Sequence, residues 1–229
     1  MLPLNAKGLI VRRKGKVLLG PIDLTLEGAG ITVVMGPNGS GKTTLLRALH
    51  GIERLSDGTL DWAVPAAVAH QHQSFVFQAP VVLRRTVAGN LRYPLTLSRA
   101  PDQEARVADW AARAGLTAKL HLQASRLSGG ERQKLALARA LITAPKVLFL
   151  DEPCASLDGA ATRAIEALLL DAASRGTRII LATHDMGQAR RLASDALFMV
   201  QGQIHERGND ILNAPQTPEL AAFLRGDIL

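Results

Sequence analysis

Three stretches of this 229-residue chain set residues at spacings that suit chemistry on a phosphate. The first is GPNGSGKTT (residues 36–44), which meets the pattern G-x-x-x-x-G-K-[ST] in full. Glycines there let the backbone curl around phosphate oxygens, while N–H groups and the start of a following helix supply positive potential. Gly36, Pro37, Asn38, Gly39, Ser40, Gly41 and Thr44 form the expected cradle. Lys42 adds a full charge for the β- and γ-phosphates of a nucleotide, and the Thr43 hydroxyl can ligate Mg²⁺. The second stretch is KVLFLDEP (residues 146–153), a continuous apolar run that closes on two carboxylates. Asp151 is placed to hold Mg²⁺ through water, because that ion keeps several waters and takes few protein carboxylates. Glu152 is then free to act as general base toward the water that attacks the γ-phosphate. The third is LSGGERQKLALAR (residues 127–139), where Gly129 and Gly130 precede a strongly helical run and offer backbone N–H groups to an anion. Two phosphate-holding loops in one small chain need a reason.

The first loop requires a strand before it and a helix after it. Residues 31–35 (ITVVM) predict a buried strand, and 42–50 a helix closed by Gly51. Before them, β-branched residues with Lys-Gly and Glu-Gly turn signals predict a small antiparallel sheet. A second strand is expected over 74–78, ending at Gln78, and a helical region over 86–144. Within that region Pro101 and acids open a helix that Gly115 closes. After the acidic strand end come an expected helix over 160–174, strand over 177–181, helix over 186–192 and strand over 196–200. This alternation predicts βαβ units in a mostly parallel sheet, whose strands deliver the first loop and the two carboxylates to one crevice at their carboxyl ends.

Composition narrows the partners. Aromatic residues are 3% of the chain, so the core must rest on Leu, Val, Ile and Ala. A formal net charge of +7 points to an anionic partner: nucleotide, membrane surface or nucleic acid. No basic patch interleaved with aromatics occurs, and no nucleic acid partner is expected. The single cysteine, Cys154, excludes an internal disulfide and, without a redox motif, reads as a packing residue. With neither a leader pattern nor an apolar run of membrane-spanning length, the chain is expected in the cytoplasm, reaching a membrane only through a partner.

Taken in order, these motifs resemble those of the ATP-binding cassette family. The phosphate loop at 36–43 is followed by Gln78, by LSGGE at 127–131, and by Asp151 and Glu152. An SLD loop then runs from Ser156 to Asp158, and a THD motif holds His184. The resemblance spans nearly the whole chain and implies an α/β fold: a P-loop NTPase-like, mostly parallel sheet core with an N-terminal antiparallel β subdomain and an inserted α-helical subdomain. It implies one nucleotide-binding domain over 1–229, with 1–85 and 145–229 forming the catalytic core and 86–144 the helical subdomain. It further implies ATP and Mg²⁺ as ligands and a homodimer in which two cassettes pair head to tail. Ser128, Gly129 and Gly130 then hold the γ-phosphate of the partner's ATP, which accounts for the second loop. By the same resemblance His184 senses the γ-phosphate and helps position the attacking water. Asp158 lies at the dimer interface, while Gln78 contacts Mg²⁺ or the water and reports on a membrane partner.

The chain departs from the family where an aromatic residue usually stacks on adenine: the segment IVRRKGK (residues 10–16) has none. Arg12 or Arg13 could stack through a guanidinium plane, or Val11 could pack against the base. HQHQ (residues 70–73) reads as a polar connection rather than a metal site, having only two histidines. Arg84 and Arg85 follow Gln78 in the region where family members receive a helix of a permease, and a solvated surface is the competing reading. The phrase FQAPVVLRRTVAGNLRYPL is similar to importers of oxyanions, tungstate above all, with molybdate and phosphate systems nearby. The expectation is therefore an ATPase at the cytoplasmic face of the inner membrane, partnering transmembrane permease subunits and an extracytoplasmic substrate-binding protein. The alternatives are an efflux or lipoprotein-release cassette and a non-transport switch module.

Overall fold

In the computed structural model, which describes residues 1–155 and 157–227, a turn at Lys14 and Gly15 joins the antiparallel strands β1 (Leu4–Arg13) and β2 (Lys16–Leu26). Buried side chains on β1 fall at Leu4 and Ala6, then at Leu9 and Val11. The pairing shifts between Ala6 and Leu9, with Gly8 at φ 57°, and this extra residue keeps both pairs on the core face. β3 (Gly30–Met35) runs into the phosphate loop and α1 (Lys42–His50). β4 (Asp57–Trp62) pairs with the other side of β1, completing a sheet ordered β2-β1-β4.

A short helix, α2 (Ala66–Gln71), precedes β5 (Gln73–Val76), and then come α3 (Val87–Leu97), α4 (Gln103–Arg113) and α5 (Gly129–Leu141). β6 (Val147–Asp151), α6 (Gly159–Ser174), β7 (Arg178–Ala182), α7 (Met186–Leu192) and β8 (Asp195–Val200) follow. β9 (Gln203–Gly208) and α8 (Pro218–Arg225) close the described chain. The second sheet is ordered β5-β6-β7-β3-β8-β9; its first five strands are parallel and β9 turns back on β8. The expected α/β class is what forms.

The central strands are apolar throughout because both faces are covered. Leu148, Leu150, Ile179, Leu181 and Phe198 face one cluster with residues of α5, α6, α7 and α8. Val147, Phe149, Ile180, Ala182 and Leu197 face another with α1 and the antiparallel sheet. Leu dominates both, yet Phe149 and Phe198 are among the largest fully buried side chains. A third cluster is built by α3, α4 and α5, with Leu91, Leu95, Val107 and Leu135 at its centre.

Four expectations are corrected. The strand expected over 74–78 ends at Val76, leaving Gln78 in a loop, since Pro80 has no N–H for a ladder and restricts Ala79 before it. Of the polar connection expected at 70–73, His70 and Gln71 end helix α2 and Gln73 opens β5. The helix expected to open at Pro101 begins at Gln103, with Asp102 at its N-cap position in the left-handed conformation at φ 51° and no side-chain capping bond. β4, β9 and α8 were not foreseen: β4 and β9 carry charges and a glycine that blur a strand pattern, and each is stabilised chiefly by its neighbour.

Candidate active site

The carboxyl ends of β3 and β6 are where the expected groups meet. Gly36 leaves β3 at φ 145°, and a Cβ there would lie 2.1 Å from the Met199 carbonyl oxygen, so no other residue type fits. Gly41 caps α1 at φ 102° without a side chain, leaving the first N–H groups of the helix open to an anion. Lys42 turns back into the loop, its ammonium donating to the carbonyls of Gly36 (2.8 Å) and Pro37 (3.0 Å). Burial lowers the Lys42 pKa, and the facing carboxylates of Glu152 and Asp151 oppose the shift. The Ser40 hydroxyl is buried without a partner in the same loop. A loop with an orphaned hydroxyl, open amides and a fixed ammonium fits a polyphosphate.

Thr43 Oγ1 donates to Asp151 Oδ1 at 2.9 Å, joining two of the three expected metal-holding residues; the third, Gln78, bonds Glu152 instead. Thr43 and Asp151 are hard oxygen donors, the set that suits Mg²⁺. Burial raises the Asp151 pKa, with the Thr43 hydrogen bond and the Arg47 charge pulling the other way. Arg47 was missed by sequence reasoning; the available signal was its position four residues after Thr43, on the same face of α1.

Glu152 follows β6 with φ 47°, the left-handed region a glutamate seldom adopts, held by its N–H bond to the Ala182 carbonyl at 3.0 Å. Its Oε2 accepts from Gln78 Nε2 at 3.2 Å and lies 3.3 Å from His184 Nδ1. The structure thus gathers Gln78, Glu152 and His184 around one carboxylate oxygen, beside the Thr43–Asp151 pair. Among the described residues the Gln78 amide oxygen has no hydrogen-bond partner, and His184 is 59% exposed, able to reach a bound group.

Ser128, Gly129, Gly130 and Asp158 belong elsewhere: no hydrogen bond among the described residues links them to this cluster. Ser128 caps α5 through a reciprocal box, its hydroxyl accepting from the Glu131 N–H (3.3 Å) while Glu131 accepts from the Ser128 N–H (3.0 Å). The box leaves the Ser128 O–H and the N–H groups of Gly129 and Gly130 available. Glu131 is held by Lys119 as well, and these bonds lower its pKa to about 2. Asp158 caps α6, accepting from Ala161 N–H at 2.7 Å. Ser156, expected in the same loop, lies outside the described residues.

Matching against protein families places residues 19–155 in the ABC transporter family. The chain belongs to that family. It is 32% identical over its whole length, and over the whole of the relative, to an L-cystine transport system ATP-binding protein of Escherichia coli (strain K12). It is 37% identical to a tungstate uptake system ATP-binding protein of Peptoclostridium acidaminophilum, covering 84% of this chain and 92% of that one. Its fold superposes with a TM-score of 0.82 on cbiO1 from Clostridium perfringens, part of the ABC transporter complex cbiONQ, at 26% identity over 97% of this chain and 94% of that one.

As an ABC ATPase the cassette binds ATP and hydrolyses it in the service of transport. Its departure at the adenine position sharpens in the structure. Val11 is 1% exposed within the core and cannot meet a base, which corrects that expectation. Arg13 is pinned by Glu53 at 3.2 Å, and the Arg12 N–H donates to Ser56 at 2.9 Å. The exposed apolar pair beside the phosphate loop is Val17 and Leu18: the Leu18 carbonyl lies 3.5 Å from where Gly41 would carry a Cβ. Gly202, in the turn between β8 and β9, buttresses the loop by donating to the Ser40 carbonyl at 2.9 Å. Sequence reasoning missed it too.

Proposed function

We propose that this cassette powers an importer, for an oxyanion such as tungstate, as a head-to-tail homodimer. The observation that carries the catalytic part is the Glu152 carboxylate, set at the strand end between Gln78 and His184 and next to the Thr43–Asp151 pair. Gly36 to Thr44 hold the triphosphate, Lys42 directs its charge to the β- and γ-phosphates, and Glu152 accepts a proton from the attacking water. His184 and Gln78 keep that water in line. Thr43, Asp151 and Gln78 would hold Mg²⁺, which when bound would neutralise charge on the phosphate oxygens. Val17 and Leu18 offer the base an apolar edge, which favours a purine without choosing between ATP and GTP.

Dimerisation is supported by the donors that the Ser128–Glu131 box leaves over. A helix N-terminus with a free hydroxyl is suited to a γ-phosphate, and the cassette's own phosphate loop does not use it. Engagement across two protomers makes closure depend on ATP, with Asp158 at the seam.

The reading divides the single domain into a catalytic core, 1–85 and 145–229, and a helical subdomain, 86–144, whose α3, α4 and α5 share their own apolar cluster. Between the two lies a groove of about 480 Å³ lined by Phe77, Val81, Leu83, Tyr93, Leu97 and Arg139. Val81 and Leu97 are 59% and 68% exposed, beside Arg84 and Arg85. No helix among the described residues is long and apolar enough to cross a membrane; a transmembrane permease subunit supplies the spanning part and seats one of its helices in this groove at the cytoplasmic face. The tungstate uptake relative supports the oxyanion reading; cystine and glutamine transport relatives match at similar identity, and the cargo is read as set by permease and binding protein. The test is affinity purification of the tagged protein from its native membranes. A polytopic permease with an oxyanion-binding protein in the same system is expected; soluble partners alone would contradict import.

A further inference from the structure

Glu166 is a carboxylate in the middle of α6 that is only 5% exposed. Both its oxygens are taken by Arg191 of α7: Arg191 Nε donates to Oε2 at 3.0 Å and a terminal nitrogen donates to Oε1 at 2.7 Å. Gln188, 1% exposed, also donates to Oε1, at 3.4 Å. With Glu166 buried and Arg191 half exposed, the ion pair is a weak source of net stability, because desolvation and solvent screening cancel much of its attraction, but its planar two-point contact fixes geometry tightly. The helices it joins are the informative part. α6 begins at Asp158, and α7 follows the turn that carries His184. From Glu166 the connection to that turn is unbroken: the Gln188 N–H donates to Asp185 Oδ1 at 2.9 Å, and the Asp185 N–H donates to the Thr183 hydroxyl at 3.1 Å. α7 has only seven residues, too few to hold a direction by itself. His184 is 59% exposed and among the described residues its ring is bonded only at Glu152, so its placement depends on the start of α7.

We propose that Glu166 is a positioning residue for ATP hydrolysis: through Arg191 and Gln188 it locks α7, and with it His184, to α6 and hence to Asp158. The inference rests on the reading of His184 as the group that keeps the attacking water in line. Glu166 itself touches neither nucleotide nor water. The lock lets the helix that meets the second protomer and the turn that carries the histidine move as one body, so docking at Asp158 is felt beside Glu152.

The test is a double-mutant cycle on the full-length protein with MgATP. Glu166→Gln keeps the side chain's shape and removes its charge. Arg191→Gln breaks the same contact from the 53% exposed side, and decides the matter where the buried substitution unfolds the chain. Each is expected to lower kcat about tenfold with KM for ATP within about twofold, the cost of a small misplacement. Added to His184→Ala, neither should lower the residual kcat further, since nothing remains to be positioned. Equal fractional losses in the two backgrounds, a KM that rises as kcat falls, or wild-type kcat in Arg191→Gln overturns the proposal. Wild-type kcat in His184→Ala alone would overturn the reading of His184 and the lock with it, a pattern distinct from the other failures.

Discussion

At the scale of single residues, Lys42 sits where burial disfavours its charge and two carboxylates restore it. A charge-assisted contact of this kind contributes about 1.5–3 kcal/mol. Lys42→Ala should therefore weaken ATP binding roughly 10- to 100-fold, read by calorimetric titration; unchanged affinity would remove Lys42 from the phosphate site. Glu131 gives a pH signature. Its pKa is lowered from 4.5 to about 2, first by Lys119 and then by the Ser128 N–H, so the charged form is the one the folded state favours. That contribution is complete above the unfolded value and is lost as pH falls from 4.5 toward 2. The gap in melting temperature between the wild type and Glu131→Ala should stay constant from pH 8 to about 5.5 and narrow below about pH 4.5. A gap that widens on acidification would contradict the assignment.

At the scale of elements, the turn between β8 and β9 matters more than its sequence suggests. Gly202 has φ 80°, and a Cβ there would lie 2.6 Å from the Leu18 carbonyl oxygen. Gly202→Ala strains the backbone by about 1–3 kcal/mol and pushes on the N–H bond that holds Ser40. Both melting temperature and ATP affinity should fall; a normal affinity would mean that the phosphate loop stands without this buttress. The same contrast explains what could be read from the amino acids. The phosphate loop, the α7 bounds and the apolar strand before Asp151 were legible because each is written in contiguous residues with a local physical reason. β9, the Gly202 buttress, Arg47 beside Asp151 and the Glu166–Arg191 pair were not, because each exists only through a neighbour distant in the chain. Val11 shows the limit most plainly. Its type suited a base contact, but the shift of register at Gly8 turned it into the core.

At the scale of the molecule, two unsatisfied surfaces define what the cassette must join. The groove between core and helical region exposes Val81 and Leu97, and its lining residues include Arg139 and no carboxylate, so an apolar helix with an acidic flank suits it. Leu97→Asp should cost the cassette its co-purifying permease while ATP binding by the isolated protein stays within about twofold, a separation that follows from the groove's lying apart from Lys42 and Thr43. The other surface carries the Ser128 hydroxyl and the Gly129 and Gly130 amides, which in the proposed head-to-tail pairing take a phosphate held by a second protomer. Both lead back to Glu152, the carboxylate proposed to end the ATP-bound state. The most direct measurement is therefore on Glu152→Gln: its ATP hydrolysis and, by size-exclusion chromatography with light scattering, its mass with and without ATP. The account predicts hydrolysis at background, ATP affinity near that of the wild type, and a dimer that forms with ATP and persists. Normal turnover, or a mass that ATP leaves unchanged, would contradict it.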